Sequence, residues 1–197
     1  VRRVLLVYCH PRENSFTAAV RDEVLAVLDR HGAEVRVSDL YAIGFSPALS
    51  TEEHGAYLSG DTSAVAAEVE AIKWCDTLIF VYPTWWYGLP AVLKGWLDRV
   101  LLPGVAFLMP QAEGETIRPN LTHIQRLGVF TTCGASRWLT LLVGSPGKRT
   151  LTRGIGFLCA RRRRIAFAAH YLMDSSTDDS RAAHLDRVRR KLEHLLR

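Results

Sequence analysis

Residues 81–100 read VYPTWWYGLPAVLKGWLDRV, and they leave an apolar run to set Pro83, Trp85, Trp86 and Tyr87 on the loop beyond it. Three large aromatics beside a proline and a glycine make a poor ordinary turn and a good flat, apolar wall for something planar. On its own the cluster reads equally well as core packing or a subunit contact, so its neighbours decide. The stretch HPRENSFT, residues 10–17, leads into a helical pattern, and Asn14, Ser15 and Thr17 offer amide and hydroxyl donors there. Free N–H groups at a helix start suit an anionic phosphate, and His10 and Arg12 add donors or charge. Ordinary capping by Asn14 or Ser15 explains the same residues. In TTCGAS, residues 131–136, Gly134 and the small Thr131, Thr132, Ala135 and Ser136 allow close backbone approach to a flat ligand. Their N–H groups would meet carbonyl or ring-nitrogen atoms.

These loops act together only if the fold brings them together. Strand-like runs alternate with helical patterns, the signature of an α/β fold with a mostly parallel sheet. RVLLVYC (3–9) is a continuous apolar run, as a strand buried on both faces should be. Val20, Val24, Val27 and Leu28 recur at helical spacing from Thr17 to about His31, ended by Gly32. AEVRVSDL (33–40) alternates like a second strand, and Ser50-Thr51-Glu52-Glu53 has the spacing of a capping box opening a short helix. A further helix is expected over about 62–74, a third strand over 77–82, and an apolar helix face from Leu89 to Leu101. Residues 103–124 read as a long loop with room for a short hairpin. Strands over 126–133 and 164–172 follow, then a last helix favoured at its start by Asp178 and Asp179. Five strands and their helices predict a doubly wound, three-layer sheet in which ligands sit beyond the carboxyl ends of the strands. The three loops then line one crevice.

Composition sets the bounds. The 197 residues, 48% hydrophobic, fit one domain spanning 1–197 with no internal repeat. Cys9, Cys75, Cys133 and Cys159 are scattered and form no CxxC pair, which reads as buried thiols in a reduced, cytoplasmic protein. No apolar run reaches the roughly 18–20 residues of a membrane span. The Val4–Cys9 run is too short for a signal peptide, and the absent initiator Met is expected to reflect trimming or a disordered first residue. Net charge is uneven, +8 over residues 148–197 against −3 over 1–147, which reads mainly as a solvated helix face. Nucleic acid is not an expected partner, because no aromatic interleaving accompanies the charge. GSPGKRT (144–150) lacks the glycine and hydroxyl spacing of a phosphate loop, and Gly154 and Gly156 lack a third glycine. The seven histidines show no metal spacing, and His170, in a buried-looking strand, reads as a core histidine.

A phosphate anchor beside a slot for a heteroaromatic ring describes a flavin site. The chain resembles the NAD(P)H:quinone oxidoreductase family of flavodoxin-like flavoproteins, which includes DT-diaphorases, modulator-of-drug-activity reductases and ancillary flavoproteins of potassium efflux systems. The resemblance lies in HPRENSFT, in YPTWWYGLPAVLKGWLDRV, in TTCGAS and in DLYAIGFSPALSTEE, and covers residues 3–135 best. It implies a flavodoxin-like three-layer sandwich with a five-stranded parallel sheet. It also implies that His10, Ser15, Phe16 and Thr17 bind the flavin phosphate and ribityl region. Pro83, Thr84, Trp86 and Tyr87, with Trp85 close by, would line the isoalloxazine, and Thr131, Thr132 and Gly134 its polar edge.

Further implications are FAD in preference to FMN, NAD(P)H as electron donor, a quinone-like acceptor and a homodimer with the site at its interface. Hydride would pass to flavin N5 and on to the acceptor in ping-pong order, with no side-chain acid required. Three departures stand out. Cys133 replaces a family glycine and Thr17 an asparagine, and the tyrosine and histidine that follow the diaphorase Gly-Gly loop are absent, with Arg137 or Trp138 near that place. Arg161–Arg164 read as a solvated turn, with contact to a phosphate of NADPH or FAD as the alternative. Two other functions are compatible with the pattern: a flavin-bearing regulatory subunit of a membrane transporter, and a one-electron carrier, which the basic balance disfavours.

Overall fold

The computed structural model describes residues 1–197. Strand β1 (Arg3–Tyr8) is followed by α1 (Phe16–Arg30), β2 (Glu34–Asp39), the short α2 (Thr51–Gly55), α3 (Ala66–Trp74), β3 (Thr77–Thr84) and α4 (Ala91–Val100). A two-stranded hairpin, β4 (Phe107–Leu108) and β5 (Arg118–Pro119), precedes β6 (Arg126–Cys133). Then come α5 (Arg137–Leu142), α6 (Pro146–Arg149), a π-helical stretch over Thr150–Ile155, α7 (Gly156–Leu158), β7 (Arg164–His170) and α8 (Asp178–Leu196). The five long strands form one sheet in the order β2-β1-β3-β6-β7, every neighbouring pair parallel. No helix is long and apolar enough to cross a membrane.

The central strands explain the layering. In β3 and β6 every residue but one terminal position is buried, as the continuous apolar runs require when both faces are covered. On one face α1 and α8 pack through Val20, Val24, Val27, Val188, Leu192 and their neighbours. On the other, α3 and α4 bring Val69, Ile72, Leu93 and Trp96. Each buried aliphatic side chain in these layers is worth about 1.5–3 kcal/mol.

Segments beside α4 lock it in place. Gly95 faces Pro47 so closely that a Cβ there would lie 2.3 Å from the Pro47 Cα. One turn on, Arg99 donates to Glu53 Oε1 at 2.6 and 2.8 Å and to the Ser46 carbonyl at 2.7 Å. Glu53 also completes the capping box with Ser50 that opens α2.

Several boundaries differ from the expected ones. β3 runs on through Pro83 to Thr84, because a proline near a strand's end forfeits little of the ladder. The fifth strand ends at His170, two residues early, and the expected helix over 62–74 opens with a 3-10 turn at Ser63–Val65. The helical pieces between Arg137 and Leu158 carry no clear 3.6-residue pattern. The left-handed Ser145 and the π-helical stretch break the phase between them.

Candidate cofactor cleft

Parallel register brings the ends of the central strands level, with Pro83 opposite Thr132 and Thr84 opposite Cys133. The β1 end joins them through the Cys9 N–H, which donates to the Val81 carbonyl at 3.1 Å. Beyond β1 the chain turns into α1. Ser15 caps that helix, its Oγ accepting from the Ala18 N–H at 3.1 Å. The Phe16 and Thr17 N–H groups donate to no protein acceptor, and the first turn carries no acidic residue. An unpaired pair of donors at the positive end of a 15-residue helix is suited to a phosphate. His10 stands at the loop's start, its Nδ1 3.0 Å from the Arg12 N–H. Burial holds its pKa below the ordinary imidazole value, ahead of the nearby Arg12 charge, so at neutral pH it serves as a neutral hydrogen-bonding group.

Beyond β3 lies a tight turn. Trp86 and Tyr87 adopt φ of 49° and 61°, and the Gly88 N–H donates to the Trp85 carbonyl at 3.0 Å. Two consecutive left-handed residues are the pattern of a type I′ turn, normally built from Asn and Gly. Bulky side chains there cost about 1–2 kcal/mol each. The strained turn is held from behind, where the Gly147 N–H donates to the Tyr87 carbonyl at 3.2 Å. A Cβ on Gly147 would press to 3.1 Å from the Gly88 backbone. The GSPGKRT segment is thus structural, its helix α6 buttressing the aromatic turn. Trp85 leans towards the first loop, its ring centroid 6.5 Å from His10, whereas Trp86 is 94% exposed.

The third loop is tied to the other two by paired threonines. Thr17 and Thr132 hydroxyls lie 2.9 Å apart, and Thr84 and Thr131 hydroxyls 2.8 Å apart. Ser136 caps α5. The Gly134, Ala135 and Ser136 N–H groups have no protein acceptor and remain available as donors. A fourth wall comes from the turn after β7. There the Leu172 N–H reaches the Ala135 carbonyl at 3.3 Å, and Asp174 Oδ2 sits 3.2 Å from where a Gly134 Cβ would be. The result is an open cleft of ≈480 Å³.

Of the residues expected at the site, Thr84, Trp85, Trp86, Tyr87, Thr132 and Gly134 line the cleft. Ser15 and Thr17 sit at the helix start beside it, and Pro83 is a buried strand residue. Thr131 faces a smaller cavity beneath. The Phe16 ring packs edge-on against His170, with His184 at 5.9 Å, and does not line the cleft. Met173 and Asp174 also line the cleft. Nothing in YLMDSS signalled them, since the reversal rests on Leu172 at φ 58° without a glycine or asparagine. Arg161–Arg164 lie at the amino end of β7, the opposite end of the sheet from the cleft.

This geometry fits a planar ring with a phosphate tail: free donors and small residues on one side, aromatics on the other, helix-terminal N–H groups beside them. A family model described as flavodoxin-like fold matches residues 2–192. Among curated proteins, the chain is 37% identical over 127 residues to a ribosyldihydronicotinamide dehydrogenase [quinone] of Pongo abelii, covering 55% of each chain. It is 36% identical over 125 residues to NAD(P)H dehydrogenase [quinone] 1 of Rattus norvegicus, covering 54% of this chain and 46% of that one. The chain spans about half the length of these relatives. Among solved structures it resembles an NAD(P)H:quinone oxidoreductase of Methanothermobacter marburgensis with TM-score 0.79 and 27% identity, over 100% of this chain and 98% of that one.

Proposed function

The chain belongs to the flavodoxin-like fold family, and from that premise we propose that it is a flavin-dependent oxidoreductase passing two electrons from NAD(P)H to a quinone-like acceptor. The observation that carries the reading is a ring-sized cleft walled by aromatics, with the unpaired donors of the α1 start tied beside it through the Thr17–Thr132 hydrogen bond. The names of the relatives, NAD(P)H dehydrogenase [quinone] and ribosyldihydronicotinamide dehydrogenase [quinone], agree with it.

Phe16 and Thr17 N–H groups, with His10 and Ser15 beside them, would hold the cofactor phosphate. The Trp85–Gly88 turn and the free N–H groups of 134–136 would hold the ring. A bound flavin supplies the hydride-accepting chemistry at its N5 atom. The protein orients the ring, and its aromatic wall keeps water from one face. With one cleft of this size, donor and acceptor take turns on the open face, which imposes ping-pong order. By resemblance the cofactor is FAD rather than FMN.

A homodimer completes the site in this reading. Trp138, Leu141, Leu142 and Val143 on and after α5 are all exposed, as is Trp86. Exposed large apolar groups clustered beside a ligand cleft mark an association surface. A light-scattering mass of twice the chain is the expected result, reduced to one chain by Leu142→Glu.

The deciding experiment for activity is an absorbance titration of the purified protein with FAD and with FMN, followed by NADPH without oxygen. A bound-flavin spectrum that bleaches on NADPH addition is expected. If neither flavin binds, the reading fails.

A further inference from the structure

Beneath the cleft lies a second cavity of ≈20 Å³, walled by the ends of β3, β6 and β7 and by α5 and α6. Thr84, Tyr87 and Cys133 border both spaces. The cavity is large enough for about one water molecule. Tyr82 lines it and is fully buried, and its hydroxyl faces that of Thr131 without a hydrogen bond of normal geometry. Buried hydroxyls are rarely left unpaired, because desolvation without a partner is unfavourable. Thr131 lines the same cavity, and its hydroxyl lies 2.8 Å from that of Thr84, which reaches the cleft. On the outer side the cavity meets half-buried Tyr171 and exposed Lys148, whose Nζ stands 4.7 Å over the Phe167 ring.

We propose that this cavity binds one ordered water, oriented by Tyr82 Oη, and that the water with Thr131 and Thr84 forms a proton path from solvent to the cleft. The path rests on the oxidoreductase reading; the water site does not. Reduction of a quinone by NAD(P)H consumes one hydride and one proton. The nicotinamide C4–H bond breaks with both electrons moving towards the acceptor, NAD(P)⁺ leaves, and the quinone gains two electrons and two hydrogens. The second hydrogen must arrive as a proton.

Asp174, the one carboxylate on the cleft wall, is exposed and does not line the cavity, whereas Thr84, paired with Thr131, borders both spaces. Burial pushes the Tyr82 pKa up, so the phenol stays protonated and acts as a positioning residue that fixes the water. The proton moves by each hydroxyl passing one on and receiving one, with solvent at the Lys148 and Tyr171 wall restoring it.

Two measurements test this. A crystal structure of the protein at a resolution that shows ordered waters should reveal one within hydrogen-bonding reach of Tyr82 Oη, and a dry cavity overturns the proposal. In flavin-loaded enzyme, Tyr82→Phe should lower the rate of quinone reduction roughly tenfold or more and change its solvent deuterium isotope effect. The rate with ferricyanide, which takes electrons without protons, should stay within about twofold. Rates that fall together for both acceptors, or do not change at all, reject the path. Flavin binding by wild-type protein, followed by fluorescence quenching, keeps the two ideas apart. Without binding, the oxidoreductase reading and the path both fall, while the crystal density still decides the water site.

Discussion

The hydroxyls of Thr17 and Thr132 form a buried hydrogen bond of 2.9 Å that ties the start of α1 to the end of β6. Through it the loop after β1 and the loop after β6 hold a fixed spacing, although 115 residues separate the two threonines in the chain. Thr132→Val preserves shape and leaves the Thr17 hydroxyl buried without a partner. A loss of about 1–3 kcal/mol in urea unfolding is expected, with weaker flavin binding. The double variant with Thr17→Val should lose less than the sum of the two single changes, because no orphan remains.

The aromatic turn stores strain. Trp86 is almost fully exposed and has φ of 49°, so its side chain contributes little packing while its backbone resists. Trp86→Gly should raise stability by up to about 1 kcal/mol, the relief of strain exceeding the extra freedom of glycine in the unfolded chain. Flavin affinity or turnover should fall in the same variant. A less stable protein with unchanged turnover would show that the turn serves packing alone.

His184 makes stability depend on pH. It is 1% exposed, its two ring nitrogens have no partner, and it packs against His170 and Phe16. Burial first, then the charges of His170 and Arg187, lower its pKa from 6.5 to about 4. The unfolded chain therefore takes up a proton that the folded protein refuses. Stability is complete above about 6.5, declines as pH falls through the window, and is about 3 kcal/mol lower by pH 4. Urea midpoints across this range should show that slope, and His184→Leu should flatten it.

Gly95 reverses a familiar rule. Replacing a mid-helix glycine with alanine ordinarily gains about 1 kcal/mol. Here the new methyl would meet the Pro47 backbone at 2.3 Å, so Gly95→Ala should destabilise by about 3 kcal/mol. A thermal midpoint equal to or above that of the parent would contradict this packing.

Much of the architecture was readable from pattern. The buried runs of β1 and β6, the capping box at Ser50 and the last helix are local signals, and local signals survive folding. The three site loops were readable for a topological reason, since alternating strands and helices put their connections at one end. The fourth wall was not. Met173 and Asp174 reach the cleft only because β7 pairs beside β6 and the chain then reverses at Leu172. The apolar WLTLLV stretch lies outside on α5, with Trp138, Leu141, Leu142 and Val143 exposed. Tyr82 reads as one more strand aromatic, and only the packing around it reveals an unpaired hydroxyl.

The strand order also governs when the cleft comes into being. Its walls come from segments 84–87, 132–135 and 173–174, with the start of α1 tied beside them, and every strand joining them is paired with a partner distant in the chain. Such pairings demand large loop closures and make folding slow compared with helical bundles. No half-folded chain can assemble the pocket, so a ligand fitting it recognises the finished molecule alone. At a hundred times its dissociation constant, that ligand would add about 2.7 kcal/mol to the folded state. Cofactor supply would then set how much of the protein survives proteolysis, as well as how much of it is active.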